Sequence, residues 1–326
     1  MKLLIRRLQS DWASWLAVAF IALLPFGRLS ELPLSILAVS VVFLARIADQ
    51  RARMRAAAAF VVPLFLCYWL PMVLSTFDSF DPQKSVVQSL AALRYLAAAL
   101  ALSVLLAAPS ARERVLRWTA WLLLFWAIDA FIQLFFGRDL FGIAMHPDRL
   151  NALFVKKYQF FGPTLAMLSP LVLEHARRNW RPLAWATSFA LLLGAVMIAG
   201  MRAGWLTMAL VLATYMLLML RRENRELRRT ALTIPALALI VLAVSYFASP
   251  LFQERLDVTR AFTAGEEQAL DASSMERVPI FRAALKMYRE HPVNGVGVRA
   301  FPAAYMVYAE PGDVHIEKSG GKSGAT

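Results

Sequence analysis

The sequence predicts an all-α polytopic membrane protein, and three observations lead to this fold class. Of its 326 residues, 59% are hydrophobic and only 17% are charged. Its mean hydropathy is positive, at +0.55. Nine apolar runs are each long enough to cross the hydrocarbon layer of a bilayer. Because a soluble domain would not carry so many such runs, the chain is predicted to cross a membrane repeatedly.

The nine predicted spans follow one another with short connections. The N-terminal MKLLIRR resembles the start of a signal peptide, but no small-residue cleavage pattern follows it. We therefore expect it to flank a retained first helix. The predicted spans are roughly 12–26, 32–48, 56–75, 89–108, 118–136, 158–175, 183–199, 203–220 and 230–248.

The distribution of basic residues predicts the orientation of these spans. With the N-terminus in the cytoplasm, the five inside segments hold 18 Lys and Arg residues, whereas the four outside loops hold 7. This difference follows the positive-inside rule. It also argues against a nucleic-acid partner, although the net charge is +13, because the basic residues are spread among short loops rather than along one continuous face. The inside segments are 1–11, 46–55, 109–117, 175–182 and 221–229.

Nine spans divide the chain into a transmembrane helical domain, 1–248, and a periplasmic helical segment, 249–326. The second segment holds nine Lys or Arg and ten Asp or Glu residues, so it is nearly neutral. It ends in KSGGKSGAT, whose glycine and serine content is typical of a flexible loop. We expect further spans after residue 326 in the natural protein.

The stretch from Asp271 to Phe301 is the longest polar-framed segment of the chain. An amphipathic helix is predicted in it, beginning either at a capping box formed by Ser273 and Glu276 or near Pro279. Either start places Arg277 near a helix N-terminus, where backbone N–H groups already favour an anion. The helix is predicted to end at His291, before a glycine-rich turn that either approaches a ligand or simply reverses the chain.

A second short segment, AGMRAGW at 199–205, forms a predicted outside turn between two spans. Its glycines are explained by close packing of helices. Arg202 at its tip lies on the side where basic residues are scarce. It is predicted either to pair or snorkel at the membrane boundary, or to bind an anion.

The outside loop 137–157 departs from the positive-inside pattern because it carries four basic residues. Arg149, Lys156 and Lys157 are predicted either to anchor the loop at the interface or to bind an anionic ligand. Asp129 and Gln133, one helical turn apart at the end of the preceding span, are predicted to make buried hydrogen bonds.

Two basic residues near the outside loop 76–88 complete the set of candidate anion ligands. Lys84 lies within that loop, and Arg94 lies inside the following span. An intramembrane arginine is a functional-site hypothesis by default, although one turn from the interface it can simply snorkel.

A general base on the outside would be one of three histidines, His146, His291 or His315. His291 is predicted to cap its helix, which leaves His315 as the preferred base. The single cysteine, Cys67, lies in an apolar run and excludes an intramolecular disulfide, a cysteine metal site and a redox pair. No sequence motif with metal-ligand spacing occurs in the outside segments, so no metal or other cofactor is predicted.

Together, the many spans, the turn AGMRAGW and the external segment SSMERVPIFRAALKMYREHPVNGVGVRAF resemble the O-antigen ligase family, which shares its fold with the O-antigen polymerases. The resemblance implies an inverting, metal-independent glycosyltransferase of the GT-C type at the periplasmic face of the bacterial inner membrane. Such an enzyme moves O-antigen polysaccharide from undecaprenyl pyrophosphate to a sugar hydroxyl of lipid A-core.

The resemblance also assigns roles to residues. By motif position, Arg202 and Arg277 match the two arginines of the family that hold the donor pyrophosphate, and Arg149 matches a third basic position. The family's catalytic histidine lies in a His-x-His-Asn motif that this sequence lacks. Either His315 is its divergent equivalent or the base lies beyond residue 326, which is the reading we favour.

Two other functions fit the sequence. A surface-polysaccharide polymerase has the same fold and differs in its acceptor. A membrane transporter is the alternative from another class, but it would carry ionisable residues near the bilayer midplane, whereas here they concentrate at the ends of the spans.

Overall fold

A computed structural model of the protein confirms the predicted all-α architecture. It describes residues 2–146, 150–154, 158–222, 224–250, 252–254, 256–257, 260, 278–310, 313 and 315–316. The helices in this part of the chain are α1 (Lys2–Ala22), α2 (Glu31–Leu44), α3 (Ala48–Leu74), α4 (Pro82–Leu105), α5 (Pro109–Phe136), α6 (Phe161–Asn179), α7 (Pro182–Ile198), α8 (Arg202–Leu220), α9 (Arg225–Ala248), α10 (Val278–Glu290) and α11 (Phe301–Tyr308). Two 3-10 helices, Leu24–Ser30 and Tyr158–Phe160, precede α2 and α6.

Each of the nine predicted spans corresponds to one helix from α1 to α9. Differences in their ends have local causes. Helix α9 begins five residues before the predicted limit because the side chain of Asn224 accepts hydrogen bonds from the N–H groups of Glu226 and Leu227. Among the described residues, six helices are long and apolar enough to cross a membrane, and Trp12–Ala22 and Pro182–Ile198 are shorter apolar helices. The chain is thus a multi-pass membrane protein, and the number of nine spans stays a prediction.

The chain forms two compact units that alternate along the sequence. Unit 1 comprises Met1–Pro33 and Leu105–Asp257, and unit 2 comprises Leu34–Val104 and Val258–Thr326. The predicted boundary at residue 248 stays a prediction.

Helices α5 to α8 supply much of the buried core of unit 1. Its largest fully buried side chains include Trp126, Phe154 and Phe161, which pack edge-on or tilted with ring centroids 5.4 and 5.7 Å apart. Helix α8 lies close to α6 because Gly204 faces Gly162 and Pro163. A Cβ at Gly204 would lie 3.2 Å from the carbonyl carbon of Gly162. The close helix packing predicted for AGMRAGW is therefore present, but its partner is α6 rather than the adjoining α7.

Two buried polar side chains of α5 organise the loop that follows it. Asp129 accepts a hydrogen bond from the backbone N–H of Leu140 at 2.9 Å. Gln133 accepts from the N–H groups of Asn151 and Ala152 at 3.2 and 2.8 Å. Both side chains are fully buried, so the structure shows the buried hydrogen bonds predicted for them.

In unit 2, α10 and α11 pack together as a small helical pair. Ala283 and Met287 on α10 bury against Ala304 and Tyr305 on α11. The described part of α10 runs from Val278 to Glu290. Ser273 and Glu276 lie outside the described residues, so the choice between the two predicted starts stays open.

Candidate functional site

The glycine-rich turn between α10 and α11 has an unusual backbone. Three of its residues have positive φ: Gly295 at 63°, Gly297 at 99° and Arg299 at 58°. Glycine adopts this region without a steric penalty, but an arginine there is strained by about 1 to 2 kcal/mol. Strained backbone is held only where its surroundings fix it, and this turn is fixed by contacts with a distant segment.

The turn packs against the loop that precedes α4, some 213 residues away in the sequence. The N–H of Phe80 donates to the carbonyl oxygen of Val296 at 3.1 Å. The Ser85 hydroxyl donates to the carbonyl oxygen of Val298 at 2.8 Å. A Cβ at Gly297 would overlap the side chain of Ser79, so this position requires glycine for space as well as for conformation. The close approach predicted for this turn is therefore to another part of the chain.

A chain of hydroxyl groups fixes the N-terminal end of α4 against the turn. Because the only hydroxyl proton of Ser85 goes to Val298, Ser79 donates to Ser85 across 2.7 Å. The Ser79 oxygen in turn accepts from the N–H of Asp81 at 3.1 Å. This network holds Lys84, in the first turn of α4, beside Arg299.

A pocket of about 500 Å³ opens at this junction. The Nζ atom of Lys84 lies 2.6 Å from Oδ2 of Asp81. The hydrogen bond from Lys84 lowers the pKa of Asp81, so that carboxylate is ionised and neutralises the lysine. Among the described residues Arg299 has no ion-pair partner, so the lining carries one excess positive charge. The pocket is lined by Asp81, Gln83, Lys84, Val87, Gln88 and Arg299.

This pocket has the chemistry of an anion site. Its volume suits a small ligand. A guanidinium forms paired hydrogen bonds with phosphate oxygens, and the two glutamine amides add neutral donors. The side chains can therefore bind a phosphate or diphosphate group by charge and by geometry.

A second network, centred on His291, connects α10, α11 and the loop before α4. The Nδ1 atom of His291 lies 2.9 Å from Oδ2 of Asp78, and its Nε2 atom lies 3.1 Å from the hydroxyl of Tyr308. That hydroxyl donates to Glu290 at 2.7 Å, and this bond raises the pKa of Tyr308. The ring of Phe80 packs edge-on against both His291 and Tyr308 with centroids 5.8 Å apart.

The two ring nitrogens of His291 therefore contact different segments of the chain, Asp78 before α4 and Tyr308 on α11. Both ring nitrogens are occupied, so His291 is placed to join the two segments rather than to accept a substrate proton.

His315 follows α11 and is positioned through Asp313. The backbone N–H of His315 donates to Oδ1 of Asp313 at 2.8 Å. The other oxygen of Asp313 accepts from the hydroxyl of Tyr305 at 2.8 Å. Burial, with a smaller contribution from Asp313, raises the pKa of Tyr305 to about 12, so this hydroxyl is a stable donor at neutral pH. His315 is half-buried.

The structure brings together only some of the residues predicted to bind an anion. Lys84 lines the pocket with Arg299. Arg94 does not, since it lies roughly 15 Å further along α4 and its guanidinium packs 5.3 Å from the ring centroid of Tyr95. Arg202 is the exposed first residue of α8, in unit 1, where the N–H groups of the helix end favour an anion.

Other predicted residues lie outside the described part of the chain. These are Arg277, Arg149, Lys156 and Lys157. Their assignment stays a prediction from the sequence. In the part that the structure describes, no three His, Cys, Asp or Glu side chains are grouped as a metal site requires.

Sequence reasoning missed Arg299 and underestimated His291. The signal for Arg299 was its position at the end of the glycine-rich turn, two residues before α11. The signal for His291 was weak because its partner Asp78 lies 213 residues away.

Comparison with known proteins gives one family match, and it covers α10, α11 and the turn between them. Residues 187–319 match the family model described as O-antigen ligase. No curated protein and no solved structure gives a significant match. The matched range includes Arg202, His291, Arg299 and His315, and it supports a membrane glycosyltransferase of the ligase or polymerase type. The match over residues 187–319 thus supports the similarity to the O-antigen ligase family that the sequence predicts.

Proposed function

We propose that this protein transfers O-antigen polysaccharide from undecaprenyl pyrophosphate to a sugar hydroxyl of lipid A-core. The reaction takes place at the periplasmic face of the inner membrane and inverts the anomeric centre. The observation that carries the proposal is the family match over residues 187–319. The cationic pocket that Arg299 of this domain forms with Lys84 is consistent with it.

The difficult step is the departure of a lipid diphosphate from the sugar. Cleavage of the anomeric C–O bond adds negative charge to a leaving group that is already anionic. Fixed guanidinium groups stabilise this charge because they meet the oxygens where the charge develops. We assign this role to Arg202 and Arg277. Further basic candidates are Arg299, which lines the pocket with Lys84, and Arg149, Lys84, Arg94, Lys156 and Lys157.

The acceptor must lose a proton as it attacks. We assign His315 as the base that accepts the proton of the acceptor hydroxyl. In-line attack from the face opposite the diphosphate forms the new C–O bond as the old one breaks, which inverts the anomeric centre.

Product analysis after gene deletion tests this function against the polymerase alternative. Loss of a ligase leaves lipid-linked glycan of normal length to accumulate. Loss of a polymerase leaves single repeat units on the lipid carrier. Accumulation of single units would overturn the ligase assignment while leaving the family intact.

Substitution of Arg277 by lysine tests the diphosphate role. We expect Arg277→Lys to lose at least 90% of transfer activity although the charge is kept, because lysine lacks the planar fork. Arg289→Lys, on the exposed face of α10, is the matched control and should retain activity. Full activity of Arg277→Lys in a ligase assay would exclude the proposed contact.

A further inference from the structure

Unit 1 contains a groove that has no part in the proposed reaction. It has a volume of about 540 Å³ and lies where the end of α6, the start of α7 and the first half of α9 meet. The loops at this end of unit 1 are those predicted to face the cytoplasm. Its basic lining residues are Arg177 and Arg229.

The lining changes from charged to aliphatic along the groove. On α9 it runs from Arg229 through Thr233 to Leu237 and Ile240, over roughly 16 Å of helix. Trp180 and Trp185 lie near the charged end. Tryptophan is typical of the level of lipid headgroups, so the groove repeats the polarity profile of one bilayer leaflet.

The charged end of the groove has an excess of positive charge. Both guanidinium contacts of Arg177 go to Glu174, at 3.0 and 2.8 Å, and Arg178 shares the same carboxylate at 2.6 Å. One carboxylate thus serves two arginines. Arg229 is exposed and, among the described residues, has no ion-pair partner. A basic pocket between helices at this membrane boundary suits a phosphate headgroup.

We propose that this groove binds an anionic phospholipid of the leaflet that the basic loops face. Its phosphate lies beside Arg229, and one acyl chain lies along Leu237 and Ile240. The site is distinct from the pocket at Lys84 and Arg299, and it serves to hold a structural lipid rather than a substrate.

Native mass spectrometry of the purified full chain, titrated with phosphatidylglycerol or phosphatidylcholine of the same acyl chains, tests the proposal. We expect Arg229→Gln to weaken phosphatidylglycerol binding about fivefold, the factor for one basic residue at an anionic surface. Arg228→Gln removes the same charge from the neighbouring exposed residue, which does not line the groove, and should change binding less than twofold. Equal weakening by both variants, or equally tight binding of phosphatidylcholine, would overturn the site.

A second pair of variants tests the acyl chain without changing any charge. Ala236→Trp places a large ring in the groove and should abolish tight binding of phosphatidylglycerol. Leu239→Trp, at an exposed position of the same helix outside the groove, should not. Unchanged binding in Ala236→Trp would contradict the proposal. Displacement of the lipid by an equal concentration of glycerol 3-phosphate would also contradict it, because the groove would then bind the phosphate group alone.

Discussion

The groove in unit 1 and the pocket in unit 2 have nearly the same volume, about 540 and 500 Å³, and each includes an arginine without an ion-pair partner among the described residues. They differ in what surrounds that arginine. In the groove, Arg229 shares the lining with tryptophan and aliphatic side chains. In the pocket, Arg299 shares the lining with Lys84, Asp81 and two glutamines. Charge alone therefore does not identify the ligand. The neighbouring side chains decide whether an anion arrives with an apolar tail along the groove or as a compact polar group.

The largest expected effect is on glycan transfer, which should depend on the pocket and not on the groove. We expect Arg299→Gln to lower glycan transfer about 10²-fold, the usual effect of removing one donor to a developing charge. Arg289→Gln, which removes the same charge from the exposed face of α10, should leave transfer within twofold. Initial rates with lipid-linked glycan and lipid A-core in the full chain give the measurement. The comparison fails if Arg229→Gln in the groove lowers transfer as much as Arg299→Gln does.

Glycine substitutions sharpen the comparison by testing the turn that carries Arg299. Gly297→Ala adds a methyl group that overlaps Ser79 at a positive φ, and we expect it to lower the free energy of unfolding by about 3 kcal/mol. Gly295→Ala is strained only by the positive φ, because nothing lies within 4 Å of the added Cβ. It should lower the free energy of unfolding by about 1 kcal/mol. Thermal unfolding of both variants decides the point, and equal losses would show that the contact with Ser79 is unimportant.

The bond between Tyr305 and Asp313 should respond to alkaline pH. Because the pKa of Tyr305 is raised to about 12 in the fold, its contribution to stability is complete below pH 10 and is lost as the pH rises through 12. Tyr305→Phe leaves the buried Asp313 with one donor fewer and should lower the free energy of unfolding by about 1 to 3 kcal/mol. Hydrogen exchange of the α11 amides between pH 8 and 11 provides the measurement. If the wild type and Tyr305→Phe lost protection equally across this range, the assigned role of Tyr305 would be wrong.

The smallest effect is expected at the contact between Asp78 and His291. Asp78 is more than half exposed, so Asp78→Asn should lower the free energy of unfolding by less than about 1 kcal/mol. A double-mutant cycle with His291→Ala isolates the pair from its other contacts. Strictly additive losses would show that the two side chains do not interact in solution.

Local patterns explain how much of the fold could be predicted. The apolar run 203–220 became α8, Arg202–Leu220, because hydrophobic periodicity depends only on neighbouring residues. The end of α10 at Glu290 likewise agrees with the stop predicted at His291. The early start of α9 shows the limit of counting apolar residues, since it depends on a single cap at Asn224.

The candidate site was predicted less completely because its contacts join distant segments. Lys84 was found from its charge in an outside loop, but its proximity to Arg299 depends on hydrogen bonds from Ser85 to Val298. His291 was predicted to cap its helix, because no neighbouring residue in the sequence indicates that its partner is Asp78. The packing of Gly204 on α6 was missed for the same reason.

The left-handed backbone of Arg299 bears on why an arginine, and not a glycine, stands at this position. A glycine would adopt the φ of 58° found at Arg299 without strain. The arginine therefore lowers the stability of the turn, and what the position gains is a charged side chain. Exchange of this kind is characteristic of functional rather than structural positions. Arg299→Gly should therefore raise the melting temperature while it removes anion affinity, with opposite signs for the two properties in one substitution.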